Sequence, residues 1–444
     1  MNTNINMVIK KINITSIISP TILFNVRWNI LSVLFLQGGN FLVSIIIARL
    51  IGKYAFGIYG AIVSTAIMII GIAGAGLNIS ATKFVAEANF YAKERIGGII
   101  AACKIIALLS GGIYCGLLFC FSDLIGEYIL NNHDYGVYLL YSIPYIFFYV
   151  MNLYQTGILQ GGLKFKNIAL LNGVYTIINI ILTCLLGSIW GIKGVLLALG
   201  IASILNWYLY NRDVGTYLTE IGIHLNFKQI KNEYFLLKSF FLPAIFSGLL
   251  GSIGPWFANM FLIHASNGYN EMALFTAVNS YKTFITIIPA LFARVYSPLI
   301  CKSRLENQLQ FKNYVKELIS VSTLISCMIS IIIIFTYPYL LNLFGHEFKS
   351  SILLIIVLCL VGILETIVAC FYQILYSYGL MKYQFVISLL WTLTLVISAW
   401  AFTKEYGALG MVMAYFLATI SSVLFYILLY LRHRYVSINS DTSL

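Results

Sequence analysis

The stretch FLVSIIIARLIGKYAFGIYGA, residues 41–61, carries an apolar run up to Arg49, breaks at Gly52 and restarts as a second apolar run. The 23 residues from Trp28 to Leu50 are enough to cross a bilayer with some tilt. A turn of so few residues leaves no room for an extramembrane domain, so a chain built on such hairpins does its work within the membrane. The same design recurs along the sequence. Apolar runs near 28–50, 55–77, 99–122, 136–160, 168–189, 194–211, 240–263, 274–298, 315–337, 351–376, 383–402 and 407–431 predict twelve spanning helices and an all-α integral membrane protein.

Of the 444 residues, 60% are hydrophobic and 9% charged, against about 25% charged in soluble chains. The net charge of +12 could point to nucleic acid, but a nucleic-acid binder gathers its basic residues on one face. Here they sit in short loops. With the N-terminus inside, nineteen basic residues fall on the cytoplasmic side and five (Arg49, Lys53, Lys193, Lys349 and Lys404) on the other. That bias predicts both termini in the cytoplasm and needs no nucleic-acid partner. The eight cysteines lie mostly within apolar runs and form no CxxC pair, so neither a disulfide framework nor a metal site is expected. No P-loop, HExxH or Asp-rich motif occurs. The sequence therefore predicts no catalytic residues, no cofactor and no enzyme.

The longest hydrophilic stretch, Arg212 to Ser239, falls midway. The expected organisation is a cytoplasmic segment over 1–27, an N-terminal lobe over 28–211, a cytoplasmic linker over 212–239, a C-terminal lobe over 240–431 and a cytoplasmic tail over 432–444. Residues 12–24 could lie on the membrane surface as a short amphipathic segment interrupted at Pro20. The halves read as copies: Gly52 and Gly268, Gly191 and Gly407, and Gly194 and Gly410 are each 216 residues apart. GKYAFGIYGA aligns with GYNEMALFTA, and WGIKGVLLA with YGALGMVMA. Two copies with the same topology make the parallel-repeat arrangement of transporters, with a cleft between the lobes.

IIIARLIGKYAFGIYGAIVS resembles the start of the polysaccharide transporter family of the multidrug/oligosaccharidyl-lipid/polysaccharide (MOP) superfamily, through Arg49, Gly52, Phe56, Gly57 and Tyr59. The likeness continues in AGLNISATKFVAE, with Gly76, Leu77, Lys83 and Glu87, and in LFTAVNSYKTFITIIPALFARVYSPLI, with Pro289 and Pro298. It implies twelve helices in two six-helix lobes, the fold shared with the superfamily's multidrug (MATE-type) exporters. It also implies a flippase that moves polyprenyl-pyrophosphate-linked oligosaccharide units across the bacterial inner membrane for O-antigen or a related surface polysaccharide. The implied partners are the lipid-linked oligosaccharide, membrane lipid and a polysaccharide polymerase machinery. An ion-coupled multidrug exporter on the same fold is the alternative. A membrane polymerase or ligase fits less well, since such enzymes need a large outer loop and every outer loop here is short.

Ionisable residues within spans are the candidate site, because charge in hydrocarbon is costly. Arg49, near the outer end of its span, and Lys104 and Arg294, near cytoplasmic ends, either snorkel to water or face the anionic headgroup. Lys282 and Glu365 lie deep. Either they pair with each other across the second lobe, or Lys282 meets the pyrophosphate while Glu365 takes up a coupling ion. Four cations against one acid favour an anionic cargo and a cationic central cleft. Gln37, Asn40, Asn152, Gln155 and Asn179, among further amides of the first half, could line that cleft, since a carboxamide both donates and accepts. Interhelical bonding is their plainer role.

Overall fold

In a computed structural model, residues 20–226, 249–378 and 381–441 are described. Residues 12–19 of the expected surface segment, the second part of the linker from 227 and the start of span 7 fall outside them, while residues 20–24 open α1. The described residues are helical with short connections: α1 (Pro20–Ala73), α2 (Leu77–Tyr91), α3 (Ile96–Tyr128), α4 (Tyr135–Gly161), α5 (Phe165–Glu220), α6 (Leu249–Ile263), α7 (Gly268–Glu306), α8 (Gln308–Phe344), α9 (Ile352–Tyr378) and α10 (Met381–Asp441). Among the described residues, seven helices are long and apolar enough to cross a membrane. α1, α5 and α10 each turn back at one glycine, Gly52, Gly191 and Gly407. Counting both arms of these three, together with α6 and α7, gives the twelve crossings that the apolar runs predict.

The turns show why glycine is needed. Gly191 (φ 56°, ψ −132°) and Gly407 (φ 55°, ψ −129°) take the same conformation, one that side chains forbid. The arms then close tightly. A Cβ on Gly194 would lie 1.8 Å from the Leu186 carbonyl oxygen, and one on Gly410 would lie 2.2 Å from that of Phe402. Eight residues of straight helix span about 12 Å, so these approaches require a fold-back. Leu186 and Phe402 are themselves 216 residues apart, so the repeat extends to the packing.

The first glycine pair departs from the simple alignment. Gly52 makes its turn alone, with φ 80° and ψ 168°. In the second half the positive φ belongs to Asn267 (56°), while Gly268 opens α7 with its Cα 's missing Cβ only 1.9 Å from the Ile263 carbonyl oxygen. Both copies have a hairpin there, but in the second the glycine serves close approach and not the turn.

Two boundaries also move. Span 2 was expected to end near Leu77, yet after a break at Gly76 (φ 74°) the chain stays helical to Tyr91. The buried residues Leu77, Ala81, Val85 and Ala88 explain this. They pack on α4, where Gly157 and Gly161 let the backbones of Asn78 and Thr82 come close, as small residues do between membrane helices. At the linker, α5 continues to Glu220, held by Asn167 donating to Asp213 (2.9 Å), Tyr217 donating to Asn89 (3.0 Å) and the Lys164–Glu220 ion pair.

Candidate functional site in the lobe interiors

The lobes meet through α1. Its second arm carries Gly57, Gly60 and Gly71, whose missing side chains admit Tyr269, Thr276 and Ser252. Polar bonds lie between them: Asn259 donates to Ser64 at 2.7 Å and Trp256 Nε1 to Thr65 at 3.2 Å. Near the Gly52 turn the contact becomes aromatic, with Phe41 against Phe284 at 4.8 Å and both Phe41 and Phe56 against Phe344, at 6.2 and 5.9 Å. Arg49 completes this end. Its Nε donates to the Leu343 carbonyl (2.6 Å) and its Nη2 to that of Asn342 (3.0 Å), so it caps the C-terminal carbonyls of α8 from the other lobe. Contacts between the lobes therefore run along the second arm of α1 from the Gly52 turn as far as Gly71, about 28 Å of helix. Within the lobes, α2 packs on α3 and α4, and the end of α7 packs on α8 and α9 through Ala293, Ile300, Phe311 and Cys370.

A cavity of about 540 Å³ lies within the C-terminal lobe, lined by described residues. α9 presents Glu365, Tyr372 and Gln373 to it; α10 presents Gln384, Trp391 and Thr392 from its first arm and Thr419, Ser422 and Tyr426 from its second. These recur at helical spacing, one polar stripe per arm. Glu365 Oε1 accepts from Lys282 Nζ at 2.7 Å, and the two side chains are 27% and 14% exposed. The ammonium also stands 4.9 Å from the centre of the Tyr415 ring. Each deep charge alone would cost about 2.5 to 3.5 kcal/mol; paired, they present a neutral wall.

A smaller cavity of about 160 Å³ lies within the N-terminal lobe, lined by Asn78, Asn152, Asn172, Asn206, Ser203 and Tyr175 among others. Asn172 is fully engaged, donating to Ser32 (2.8 Å) and accepting from Tyr210 (3.0 Å). Asn152 Oδ1, Ser203 Oγ and Asn206 Oδ1 are buried without a hydrogen-bond partner. A polar cavity of this size has room for water to satisfy them.

Of the candidates read from the sequence, Lys282 and Glu365 come together and Asn152 lines the smaller cavity. Gln155 is buried in helix packing, with Nε2 donating to the Trp207 carbonyl at 3.4 Å. Asn179 is buried and accepts from Thr183 at 3.4 Å. Gln37 is half-buried and Asn40 exposed, neither on these two cavities. Lys104 is half-buried on α3 and also away from them. Arg294 lies in α7, its side chain outside the described residues. Among the described lining residues of these two cavities the charged one is Glu365; Arg49 is held at the lobe contact and Lys282 is engaged by that carboxylate. Trp391, Gln373 and Gln384 went unnoticed in the sequence. The stripe from Glu365 to Gln373 and that from Gln384 to Trp391 were legible signals.

A twelve-helix bundle with a cavity in each of two repeated lobes is the architecture of a multi-pass membrane protein. The family described as polysaccharide biosynthesis protein matches residues 22–304, and the chain belongs to it. No curated protein sequence matches it. Among solved structures it is similar to the inward-facing conformation of a multidrug resistance MATE family transporter, at 16% identity over 92% of this chain and 96% of that one, with a TM-score of 0.76. Against the outward-facing conformation of a multidrug resistance MATE family transporter the TM-score is 0.66, at 16% identity over 94% and 96%. It is also similar to a MOP superfamily transporter from Pyrococcus furiosus Vc1 (DSM3638) whose binding pocket is described as reversed in polarity, at 17% identity over 94% and 96%, with a TM-score of 0.71. The fold is one shared with these solved transporters.

Proposed function

We propose that this chain is a flippase for lipid-linked oligosaccharide units, working by alternating access at a bacterial inner membrane. The observation that carries the reading is a polar cavity in each of two lobes that meet along α1, in a chain of the polysaccharide biosynthesis family. Arg49 and the Phe41–Phe344 contact tie the lobes at the Gly52 end, and the α1–α6 bonds join them farther along the second arm of α1. Rocking about α1 would open the space between the lobes to one side and then the other. The bias of nineteen basic residues to five argues for the Gly52 end facing away from the cytoplasm. The higher TM-score against the inward-facing MATE conformation supports a resting state open to the cytoplasm.

A glycan headgroup stripped of water loses several kcal/mol per unpaired hydroxyl. Polar cavities in both lobes would offset that loss while the lipid tail stays in the bilayer. Ion-coupled drug export is the second reading, favoured by the carboxylate and aromatic rings of the C-terminal cavity; it is weakened by Lys282, which already neutralises Glu365. The test is the sidedness of polyprenyl-pyrophosphate oligosaccharide in cells with the gene deleted and then restored. Accumulation of units facing the cytoplasm, cleared on restoration, is expected. Normal display without the gene would overturn the flippase reading and put drug export first.

A further inference from the structure

The cavity of the C-terminal lobe differs from an anion site in the chemistry of its walls, and that difference names a ligand class. Its volume of about 540 Å³ lies in the range of cavities that enclose one small ligand, so it would take a segment of a glycan and not a whole repeat unit. Trp391 is half-buried, with its ring offset from Tyr415 by 6.0 Å between centres, and it borders the cavity. An indole face is a natural platform for the C–H side of a sugar ring, which is apolar although the ring's rim is hydroxylated.

The rim has partners too. Among the described residues Gln373 makes no hydrogen bond, so its carboxamide has both donors and acceptor to offer. Glu365 uses Oε1 for Lys282, which leaves the second carboxylate oxygen to accept from a hydroxyl. Thr392 donates to the Leu250 carbonyl at 3.1 Å and Ser422 to that of Ala418 at 3.3 Å; each hydroxyl oxygen retains lone pairs with which to accept. The Lys282–Glu365 pair removes the net charge that would draw an organic cation into an aromatic cavity.

We propose that the C-terminal cavity is the sugar-binding subsite of this transporter, holding a neutral hydroxylated ring on Trp391 with Gln373 and Glu365 as its hydrogen-bond partners. This rests on the flippase reading for its source of glycan. The site itself is testable without transport. Protein in lipid nanodiscs bearing Ala369→Cys, at a cavity-lining position that carries no proposed contact, with the exposed Cys120 and Cys184 replaced by alanine, is labelled with a maleimide in the presence of galactose, N-acetylglucosamine, maltotriose, inorganic pyrophosphate or tetraphenylphosphonium. The rate at that position is read by peptide mass spectrometry.

A neutral sugar at about twice its Kd slows labelling about threefold. The added Trp391→Ala abolishes the protection, and the conservative Trp391→Phe retains part of it, which excludes misfolding as the cause. Protection by tetraphenylphosphonium or pyrophosphate alone, or by none of the five, overturns the proposal. Its failure is separable from that of the flippase reading. Sugar protection in a protein whose deletion leaves repeat units displayed normally sinks only the transport role; blocked display without sugar protection sinks only the subsite.

Discussion

In the N-terminal lobe the interior holds a 160 Å³ cavity walled by amides and hydroxyls; in the C-terminal lobe it holds a 540 Å³ cavity walled by aromatic rings, two glutamines and a carboxylate. The backbones around them are near copies. Gly191 and Gly407 agree within a few degrees, and Gly194 and Gly410 close on carbonyls that are 216 residues apart. Backbone turns in a membrane leave little choice, because each polar group freed there must find a partner. Side chains facing an internal cavity are not bound in that way. After duplication, the scaffold was retained and the two interiors were free to specialise, one as a neutral polar pocket and the other around an ion pair.

The largest effects should fall equally on both lobes. Gly194→Val and Gly410→Val drive side chains into backbone oxygens, and each should cost at least about 3 kcal/mol, seen as loss of monodisperse protein and a lowered Tm in detergent. If one variant folds as well as the parent, the copies are not equivalent. The next effect should be confined to the C-terminal lobe. Lys282→Ala leaves Glu365 without its cation and should cost about 2 to 3 kcal/mol, toward the low side for a buried pair because Glu365 borders a cavity. Adding Glu365→Ala should recover most of that loss in Tm; a double variant no better than the single would mean that Lys282 acts through something other than the pair.

A smaller effect belongs to the contact between lobes. Arg49→Ala removes two charge-assisted bonds from an exposed site, about 1 kcal/mol. Spin labels on Leu50→Cys and Glu347→Cys should then show a broader distance distribution, with a new long component. An unchanged distribution would show that the aromatic contacts hold this end unaided. Least of all, Gln155→Met should alter stability by under about 1 kcal/mol, since its amide makes one long bond of 3.4 Å and its Oε1 none. A large loss measured by thermal unfolding would reveal that the first lobe depends on its amides more than its geometry suggests.

The architecture was legible because hydrophobic runs and glycine spacing report on the backbone directly. Twelve runs gave twelve crossings, and the 216-residue offset matched two of the three glycine pairs in role. It misled at Gly268, where alignment cannot separate a glycine needed for φ from one needed for close approach. It also ended span 2 too soon, because Lys83 and Glu87 look like a loop, whereas they sit on a helix face opposite Leu77, Ala81 and Val85. The site was harder to see. Counting charges exposed Lys282 and Glu365, but sign totals do not tell which cation is already engaged, and Lys282 is held by Glu365. Arg49 was legible as an odd charge at a span end, yet its partners lie almost three hundred residues away on α8. Trp391 escaped notice because an aromatic residue in an apolar run is marked only by its helical register with Gln384, seven residues before it.

Transport of the glycan is the claim on which the rest depends, and reconstitution tests it most directly. Purified protein is placed in liposomes carrying polyprenyl-pyrophosphate oligosaccharide on the inner leaflet alone, and the fraction of glycan open to an added, membrane-impermeant glycosidase is followed over time. The account expects that fraction to rise in liposomes with protein and to stay flat in those without. Glycan that remains protected in the presence of folded protein would contradict it.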